Sequence, residues 1–461
     1  NPARSPTVSA IAFKHFEMSV PATLYLQNST ISIKNSKLHV YSPDGSFSAT
    51  WYRLSAAPVL FEPRFDSKMS TIHVADSALH LDVRTSKGLS AGGSYPGIVT
   101  EMTCAGVVLG APTQYWNSHP PSIGNVFDDT SLLFGGLLIN VSSLMGNVSG
   151  IHFGLPSQFR NSLVHIGAQA GGSGQGSRIE VSSQKHPSPI VSAAGFANAV
   201  TIPIINAEAS EFILGDAQTT MAITSSSSFA TGVYIDGTHT TIFRNSTLHL
   251  SPRSVLVAST LNDTRSNPPP STELATSLLH FAANAALKNS SVLVGTSSAV
   301  NTAEAYHIRS DVKGMVTASV VIRSATLLSE TSIEHKNIEH FTIEKSSTAL
   351  VAIRTYPIPV NSEVVISTSL KVSNILSLRM GFTHDSRAAA SLFRIGADLA
   401  LLKPYHGLAS TGALRNISTS VERSSIELFD SSSTAVQSAS SPSSANSRAF
   451  SFWHLEAMTP D

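Results

Sequence analysis

The chain has 461 residues, with 30 basic and 30 acidic side chains, no formal net charge and only 13% charged residues. A nucleic-acid partner is therefore not expected, because neutralising phosphates requires a clustered surplus of lysine and arginine. The single cysteine, Cys104, has no intrachain disulfide partner, and we expect an inert buried thiol. The sequence starts without Met or a signal peptide, so we expect a processed chain or a piece of a larger protein.

Residues 28–40, NSTISIKNSKLHV, alternate apolar and polar side chains like a strand, but the alternation slips by one position halfway along. Side chains of a straight strand alternate strictly between its two faces, so one apolar pair of this segment would face water. A bend at KNSK would instead direct both pairs, Ile31 with Ile33 and Leu38 with Val40, towards one interior. The outward side chains would then be Ser32, Lys34 and His39.

The same bent pattern recurs without gaps at MSTIHVADSALHL, residues 69–81, and at NSTLHLSPRSVLV, residues 245–257. The corresponding apolar positions are Ile72, Val74, Leu79 and Leu81 in the second copy, and Leu248, Leu250, Val255 and Val257 in the third. Looser copies lie at 288–294, 341–353, 362–372 and 423–429. These segments predict short strands rich in β-branched residues, separated by corners of Asn, Ser, Gly and Asp.

A repeated strand, corner and strand unit is typical of a coiled solenoid, in which each coil stacks on the one before it. We therefore predict an all-β parallel β-helix (β-solenoid) over residues 1–430, with inserted loops and one or two short helices. The Pro- and Gly-rich segments 84–98, 111–126 and 265–271 are the expected insertions. A string of antiparallel β-sandwich domains is the alternative, because it also has short strands about every ten residues.

The other elements are weaker. Residues 271–288 follow three prolines and carry an N-cap signal and a helical apolar face, so we predict a helix there. Residues 388–402 fit either a helix or a buried strand. Residues 431–449 are Ser-rich and predict a linker or an O-glycosylated stalk, and 450–461 would start a further element or a tail. The longest apolar run, 132–141, is too short to span a membrane.

Asn-X-Ser/Thr sequons occur seven times and are candidate N-glycosylation sites, at Asn28, Asn140, Asn147, Asn245, Asn262, Asn289 and Asn416. With roughly a quarter of the residues being Ser or Thr, roughly five sequons would arise by chance. Asn28 and Asn245 hold equivalent positions in the repeated pattern. They equally fit structural asparagines at a coil corner, because Asn tolerates left-handed backbone.

Histidine occurs 17 times, often between two aliphatic residues, as in Leu38-His39-Val40, Ile72-His73-Val74, Leu79-His80-Leu81 and Leu248-His249-Leu250. A metal ladder or a pH sensor would use such histidines, but we expect amphipathic side chains on the outer faces of strands. His335 and His340 are five residues apart. They would lie on opposite faces of a strand and share a metal only if a turn intervened. We predict no metal and no cofactor.

No catalytic set emerges from the sequence. Asp128 and Asp129 are the only adjacent acids considered. Glycosidases need two converging carboxylates, whereas neighbours along a strand point to opposite faces, so we expect this pair to cap a turn instead. The Gly-rich segment 170–178 lacks the following helix of a phosphate loop and is interpreted as a flexible connection. The polygalacturonase signatures NTD, GHG and RIK do not occur.

With NSTISIKNSKLHV and NSTLHLSPRSVLV, the Ser/Thr/Asn-rich composition and the sequons, the chain resembles a right-handed β-helix of the pectin-lyase-like architecture. It is similar to the dispersed gene family type of surface proteins of kinetoplastid protists, over residues 20–430, and shares this style with bacterial autotransporter passengers. The resemblance implies an extracellular, glycosylated adhesive or structural module and supplies no catalytic motif.

We therefore expect a noncatalytic extracellular or cell-surface protein that acts as an adhesin or as a structural, filament-forming module. Its expected partners are glycans or other surface proteins, with end-to-end self-association as a further possibility. The alternative is a carbohydrate-active enzyme, either a polysaccharide lyase or a glycosidase, on a β-helix scaffold.

Overall fold

The fold is taken from a computed structural model. The described residues are 7–13, 23–42, 53–83, 101–110, 124–143, 147–168, 170–171, 173–183, 197–216, 218–225, 229–235, 240–258, 275–296, 305–311, 316–344, 347–355, 363–382, 390–397, 413–430 and 451–455. The predicted insertions 84–98 and 265–271, most of 111–126, and the predicted linker 431–449 lie outside them.

The described part consists of short strands joined by corners. The strands of the first three coils are β1 (Thr7–Phe13), β2 (Thr23–Gln27), β3 (Thr30–Lys34), β4 (Lys37–Ser42), β5 (Arg53–Phe61), β6 (Arg64–Lys68), β7 (Thr71–Ala75), β8 (Ala78–Val83), β9 (Glu101–Leu109), β10 (Asn125–Asp128), β11 (Ser131–Gly135) and β12 (Leu138–Ser143). The next three coils comprise β13 (Asn147–Phe153), β14 (Ser157–Arg160), β15 (Leu163–Ile166), β16 (Arg178–Ser183), β17 (Ala197–Thr201), β18 (Ile204–Glu208), β19 (Glu211–Leu214), β20 (Thr220–Ser225), β21 (Ala230–Ile235), β22 (Thr241–Arg244), β23 (Thr247–Leu250) and β24 (Arg253–Ala258).

Later coils fuse neighbouring strands into longer ones. They comprise β25 (Ala275–Lys288), β26 (Ser291–Gly295), β27 (Ala305–Ser310), β28 (Val316–Ser329), β29 (Ser332–Glu344), β30 (Ser347–Thr355), β31 (Glu363–Ile366), β32 (Ser369–Phe382), β33 (Ala390–Ala397), β34 (Ala413–Arg415), β35 (Ser418–Glu422) and β36 (Ile426–Asp430), and β37 (Ser451–Leu455) follows.

Each coil contributes up to four strand segments, which we call a, b, c and d in chain order, and equivalent segments of successive coils pair to form four ladders. Ladder a runs from β1 through β5 and β9 to β33 and β37. Ladder b runs from β2 to β34. Ladder c runs from β3 to β35, and ladder d from β4 to β36.

Every strand pairing in the described part of the chain is parallel, and the ladders join into one sheet of 19 and one of 18 strands. The structure therefore confirms the β-solenoid and excludes the antiparallel sandwich alternative. The coils differ in length. Asn125, for example, is hydrogen-bonded to a residue of the coil before it, 60 positions away, and to a residue of the coil after it, only 32 positions away. Most of the variation lies in the connections, because the paired strands keep their register apart from irregularities in four pairings.

The first two copies of the bent pattern stack residue on residue. Ile31 pairs with Ile72 in ladder c, and Leu38 pairs with Leu79 in ladder d. The bend lies at Asn35, whose φ of 50° is left-handed. Both apolar pairs of this first coil pack against the common core, while Ser32, Lys34 and His39 are exposed, as predicted.

For the third copy, the predicted inward positions Val255 and Val257 are wrong by one residue. Met221 of the preceding coil pairs with Ser254, so the inward positions of β24 are Ser254 and Leu256. Val255 is 49% exposed, and Val257 also lies on the outer face. The turn between β23 and β24 is one residue shorter than in the first copy: Thr247 to Arg253 is six positions, whereas Thr30 to Lys37 is seven, and the third copy lacks a left-handed residue like Asn35.

The predicted helix at 271–288 is wrong, because residues 275–288 form β25, and the described residues contain no helix. β25 spans ladders a and b between β21 and β22 on one side and β28 on the other. Leu279, Phe281, Ala285 and Leu287 face the core. Residues 390–397 of the ambiguous segment also form a strand, β33, so its strand alternative holds there.

The corner between ladders b and c, which we call the bc corner, has one non-glycine residue in the left-handed region in each of ten coils. These residues are Asn28, Met69, Asp129, Asn161, Ala209, Asn245, Asn289, Glu330, Ser367 and Asn416. This conformation is costly for most L-residues and least so for Asn and Asp, which hold six of the ten positions. The recurring Asn of the NST pattern is therefore explained by backbone geometry.

A hydroxyl follows the left-handed residue at nine of these corners and links neighbouring coils. The hydroxyl of Ser162, for example, accepts the backbone N–H of Thr130 at 3.1 Å and donates to the carbonyl of Arg160 at 2.8 Å. Equivalent N–H to hydroxyl bonds join Ser29 to Ser70, Ser162 to Ser210, Ser210 to Ser246, and Ser246 to Ser290. This file of hydroxyls, the corner ladder, satisfies backbone groups that the turn would otherwise leave unpaired.

The interior is a continuous apolar core that runs through the stacked coils. Its most regular part is a file of phenylalanines with ring centroids 5.1–5.8 Å apart: Phe61, Phe65, Phe127, Phe159, Phe212, Phe243 and Phe281. Rings at this spacing add attraction to the area that they bury. The fold thus needs no disulfide.

We expect Ser162→Ala to destabilise the solenoid by about 1–3 kcal/mol, because it leaves the buried N–H of Thr130 without its acceptor. Urea unfolding followed by circular dichroism measures the change. Ser32→Ala, at an exposed outer position, is the control and should stay within about 0.5 kcal/mol of the parent. Equal effects of both substitutions would contradict a structural role for the corner ladder.

Candidate functional site

The sequon asparagines are unevenly placed. Four of them, Asn28, Asn245, Asn289 and Asn416, occupy the exposed left-handed position of the bc corner. Asn140 lies in β12, half-buried, with its amide 3.4 Å from the carboxylate of Glu180. Asn147 begins β13, and Asn262 lies outside the described residues. The bc corner is thus an exposed edge along which acceptor asparagines recur, and their use for glycosylation stays a prediction.

Asn245 and Asn289 are direct neighbours on this edge. The Nδ2 of Asn289 donates to the Oδ1 of Asn245 at 2.9 Å. Their coils are consecutive, with Thr247 paired to Ser291 immediately after the corner. The backbones that carry these two asparagines are therefore about 5 Å apart, the spacing of paired strands.

Histidines between aliphatic residues face outward, as predicted, but they differ in exposure. His39 is exposed, His80 is half-buried, and the Nε2 of His249 lies 2.7 Å from the carbonyl of Gly295. His73 is buried, since the segment that follows β15 covers it, and burial lowers its pKa with a smaller contribution from Lys34. No shared metal site of these rings emerges in the described part.

Three other histidines are held neutral: His280 and His335 are buried, and His152 is half-buried with its Nδ1 enclosed. Burial lowers the pKa of His152 to about 4 and that of His335 to about 3. It also lowers the pKa of His280 to about 3, with a smaller contribution from Arg323. His335 points into the core, where its Nε2 contacts the Ser319 hydroxyl at 2.8 Å, whereas His340 is exposed. The predicted opposite faces of His335 and His340 are confirmed.

Acidic residues do not converge in the described part, where no group of three or more His, Cys, Asp or Glu side chains could hold a metal ion. Asp128 ends β10 between Lys68 and Arg160, and Asp129 is the left-handed bc corner residue. The predicted turn is therefore confirmed.

Cys104 is buried with its Sγ 3.5 Å from the Ser143 hydroxyl, and burial raises its pKa to about 12, so the thiol is inert.

The Gly-rich segment connects β15 to β16 and is tied to another coil. The Ser173 hydroxyl donates to the Asp76 carboxylate at 2.7 Å, and its backbone N–H donates to the same carboxylate at 2.9 Å. These bonds lower the pKa of Asp76. The connection is thus anchored two coils back, and its amide serves the protein itself rather than a phosphate.

A groove lies on the outer face of ladder b, with a volume of about 560 Å³. Its floor is Ala286, flanked in register by Ile242 of the coil before and Leu327 of the coil after. The small methyl between two larger side chains forms the depression. A break in register at Ala285 and Ala286, where the β28 strand carries one extra residue, disturbs the ladder at the same point.

The rim of the groove carries polar and charged side chains: Arg244, Asn245, Lys288, Asn289 and Glu330. Arg244 and Lys288 are paired in register on adjacent strands, and both are exposed. Neither has an ion-pair partner within 4 Å among the described residues. The groove therefore combines an apolar floor with a rim that has one more positive than negative charge.

The same outward column alternates in sign through the preceding coils. Its in-register order is Lys68, Asp128, Arg160, Glu208, Arg244 and Lys288. Arg160 and Glu208 approach to 3.9 Å. Alternation keeps unlike charges opposite one another, whereas like charges directly opposite destabilise a sheet. The pair Arg244 and Lys288 breaks this order at the groove.

Sequence reasoning missed this groove, because residues 271–288 were assigned to a helix and Ala286 was placed near its end. The signal that could have revealed it is the two-residue period of a strand: if Phe281, Ala285 and Leu287 face inward, Ala286 faces outward. No helix that could cross a membrane was found in the described residues. Comparisons with models of protein families, with curated proteins and with solved structures found no match.

We expect the stability of the solenoid to fall as the pH is lowered from about 6.5 towards 3. The unfolded chain takes up protons on His152, His280 and His335 near their ordinary pKa of about 6.5, while the folded chain does not. Each of these three histidines contributes a slope of up to about 1.4 kcal/mol per pH unit in that window, and above about pH 6.5 the slope vanishes.

His280→Phe tests this account, because neither ring nitrogen of His280 has a hydrogen-bond partner among the described residues and the ring packs edge-on to Tyr234. Urea unfolding of the variant between pH 4 and 7 should show a shallower dependence by about one proton. The exposed His340→Gln is the control and should keep the parent slope. A pH-independent stability of the parent would contradict the assignment.

Proposed function

We propose that this chain is a noncatalytic structural module of an extracellular or cell surface, with the solenoid as a scaffold for adhesion. The observation that carries the proposal is the exposed bc corner, where four sequon asparagines recur along one edge. A scaffold of this kind needs a continuous core and an accessible repeated surface, and it needs no converging catalytic groups. At this corner Asn28, Asn245, Asn289 and Asn416 are exposed, and so are Thr30 and Thr247 two residues after the first two of them.

We also propose a family for this chain. The parallel coils and the bent NST strands support a pectin-lyase-like β-helix surface protein, similar to the dispersed gene family type of kinetoplastid protists. The fold alone does not assign a function, since unrelated activities share the same architecture. Glycans and other surface proteins are the partners that such a module would take.

End-to-end self-association would use the strands at the two ends of the described ladders. β3 and β4 pair on one side only, as do β35 and β36. Strands open on one side can accept a further strand. However, β37 already covers β33 in ladder a, where β1 of a second copy would have to lie. Stacking of two copies in full register therefore requires β37 to leave that position.

We expect the protein secreted from a eukaryotic cell to lose mass when its N-glycans are removed enzymatically, as measured by intact-mass spectrometry. Thr30→Val is the matched variant, because it removes the sequon of Asn28 and keeps the asparagine in its corner. Its mass should fall by one glycan while its unfolding transition stays unchanged. Native protein with all sequons unmodified would contradict the extracellular proposal.

We expect Asn245 and Asn289 never to carry glycans together on one folded molecule. Their side chains are hydrogen-bonded at 2.9 Å on coils about 5 Å apart, which leaves room for one glycan stem. Glycopeptide mapping of protein that has passed secretion measures both occupancies. Thr247→Val, which removes the sequon of Asn245, should raise occupancy at Asn289. Double occupancy on most molecules would refute this steric argument.

A further inference from the structure

We propose that the groove over Ala286 is a binding site for an acidic saccharide, a sugar unit that carries a carboxylate or a sulfate. The inference deepens the proposed function and rests on it, because the groove would supply the ligand contact of an adhesive surface.

The shape and lining of the groove fit a sugar ring better than a fully charged or a fully apolar ligand. The floor formed by Ile242, Ala286 and Leu327 offers aliphatic surface to the C–H face of a pyranose ring. The amides of Asn245 and Asn289 lie on the rim, where hydroxyl groups of the same ring would point. Sites with an apolar floor and a few polar groups at the rim are typical of small-ligand sites.

The charges specify the acidic group. Arg244 and Lys288 lie opposite each other on paired strands without ion-pair partners among the described residues, and Glu330 supplies one negative charge. Like charges at paired positions cost stability, and an anion between them would remove that cost. An arginine and a lysine together suit an oxyanion, because guanidinium binds two oxygens at once and ammonium adds a point charge.

Among the described positions of this column from Lys68 to Ser329, two positive charges are paired only at Arg244 and Lys288. Lys68, Arg160 and Arg244 each have an acidic neighbour in register, through Asp128 or Glu208. Lys288 instead has Arg244 on one side and Ser329 on the other. The position with surplus positive charge coincides with the position of the small residue Ala286 and of the irregular register.

The test is a titration of the protein with three tetrasaccharides: hyaluronan-derived as the carboxylate probe, heparin-derived as the sulfate probe and chitotetraose as the neutral probe. The protein carries Thr247→Val and Ser291→Ala, which remove the sequons beside the groove and preserve both rim asparagines. Calorimetry gives the dissociation constants. Arg244→Gln, Lys288→Gln and Glu330→Gln alter the rim, and Arg160→Gln is the matched control on the same column.

We expect at least one acidic tetrasaccharide to bind and chitotetraose to bind on the order of tenfold more weakly or not at all. Binding of only one acidic probe identifies the preferred anion. Arg244→Gln and Lys288→Gln should each weaken binding on the order of tenfold, Glu330→Gln should strengthen it, and Arg160→Gln should leave it unchanged. Circular dichroism verifies that each variant is folded.

The proposal is overturned if no acidic probe binds at millimolar concentration, if chitotetraose binds equally well, or if Arg160→Gln weakens binding as much as Lys288→Gln. The last result would indicate general attraction of a polyanion to the surface. None of these outcomes bears on the glycan mass measurement, so failure of the groove is distinguishable from failure of the extracellular scaffold.

Discussion

Parallel pairing in register between successive coils is the constraint on which the rest of this structure depends. Each strand position must match the same position one coil later, and the corners must turn the chain by the same amount each time. The corner ladder meets both demands, because the left-handed residue sets the turn and the hydroxyl after it bonds the neighbouring coil. Loops of different length can then leave and rejoin the solenoid without disturbing the core.

Much of the fold followed from the sequence, because a bend within residues 28–40 buries both apolar pairs and the bent pattern recurs along the chain. The bend at Asn35 and the stacking of Ile31 on Ile72 confirm it. The role of the serine in NST was not foreseen, since hydrogen bonds between coils depend on which residues stack. The sequence suggested a structural asparagine but gave no means to distinguish it from a glycan acceptor.

The errors have local physical causes. The one-residue shift at Val255 arises because Ser251-Pro252 turns the chain without a left-handed residue, a detail that an ungapped pattern cannot register. The helix at 271–288 failed because its apolar spacing fits both periods, and pairing with β21, β22 and β28 decides for a strand. The groove depends on the side chains that stack beside Ala286, which are Ile242 and Leu327 of the two neighbouring coils. Because the coils differ in length, the sequence alone does not show which residues stack.

The alternating charges on ladder b have a consequence for how such a repetitive chain finds its native order. Corners built alike make every coil an acceptable neighbour for every other, so a chain that skips one coil would still satisfy its turns and its apolar rows. Omitting the coil of Asp128, however, would place Lys68 opposite Arg160, and omitting the coil of Arg160 would place Asp128 opposite Glu208. Repulsion between these exposed charges discriminates against the wrong neighbour, and it weakens as dissolved salt screens it. These exposed charges therefore favour the native neighbour over the next coil but one between Lys68 and Arg244, where the signs alternate.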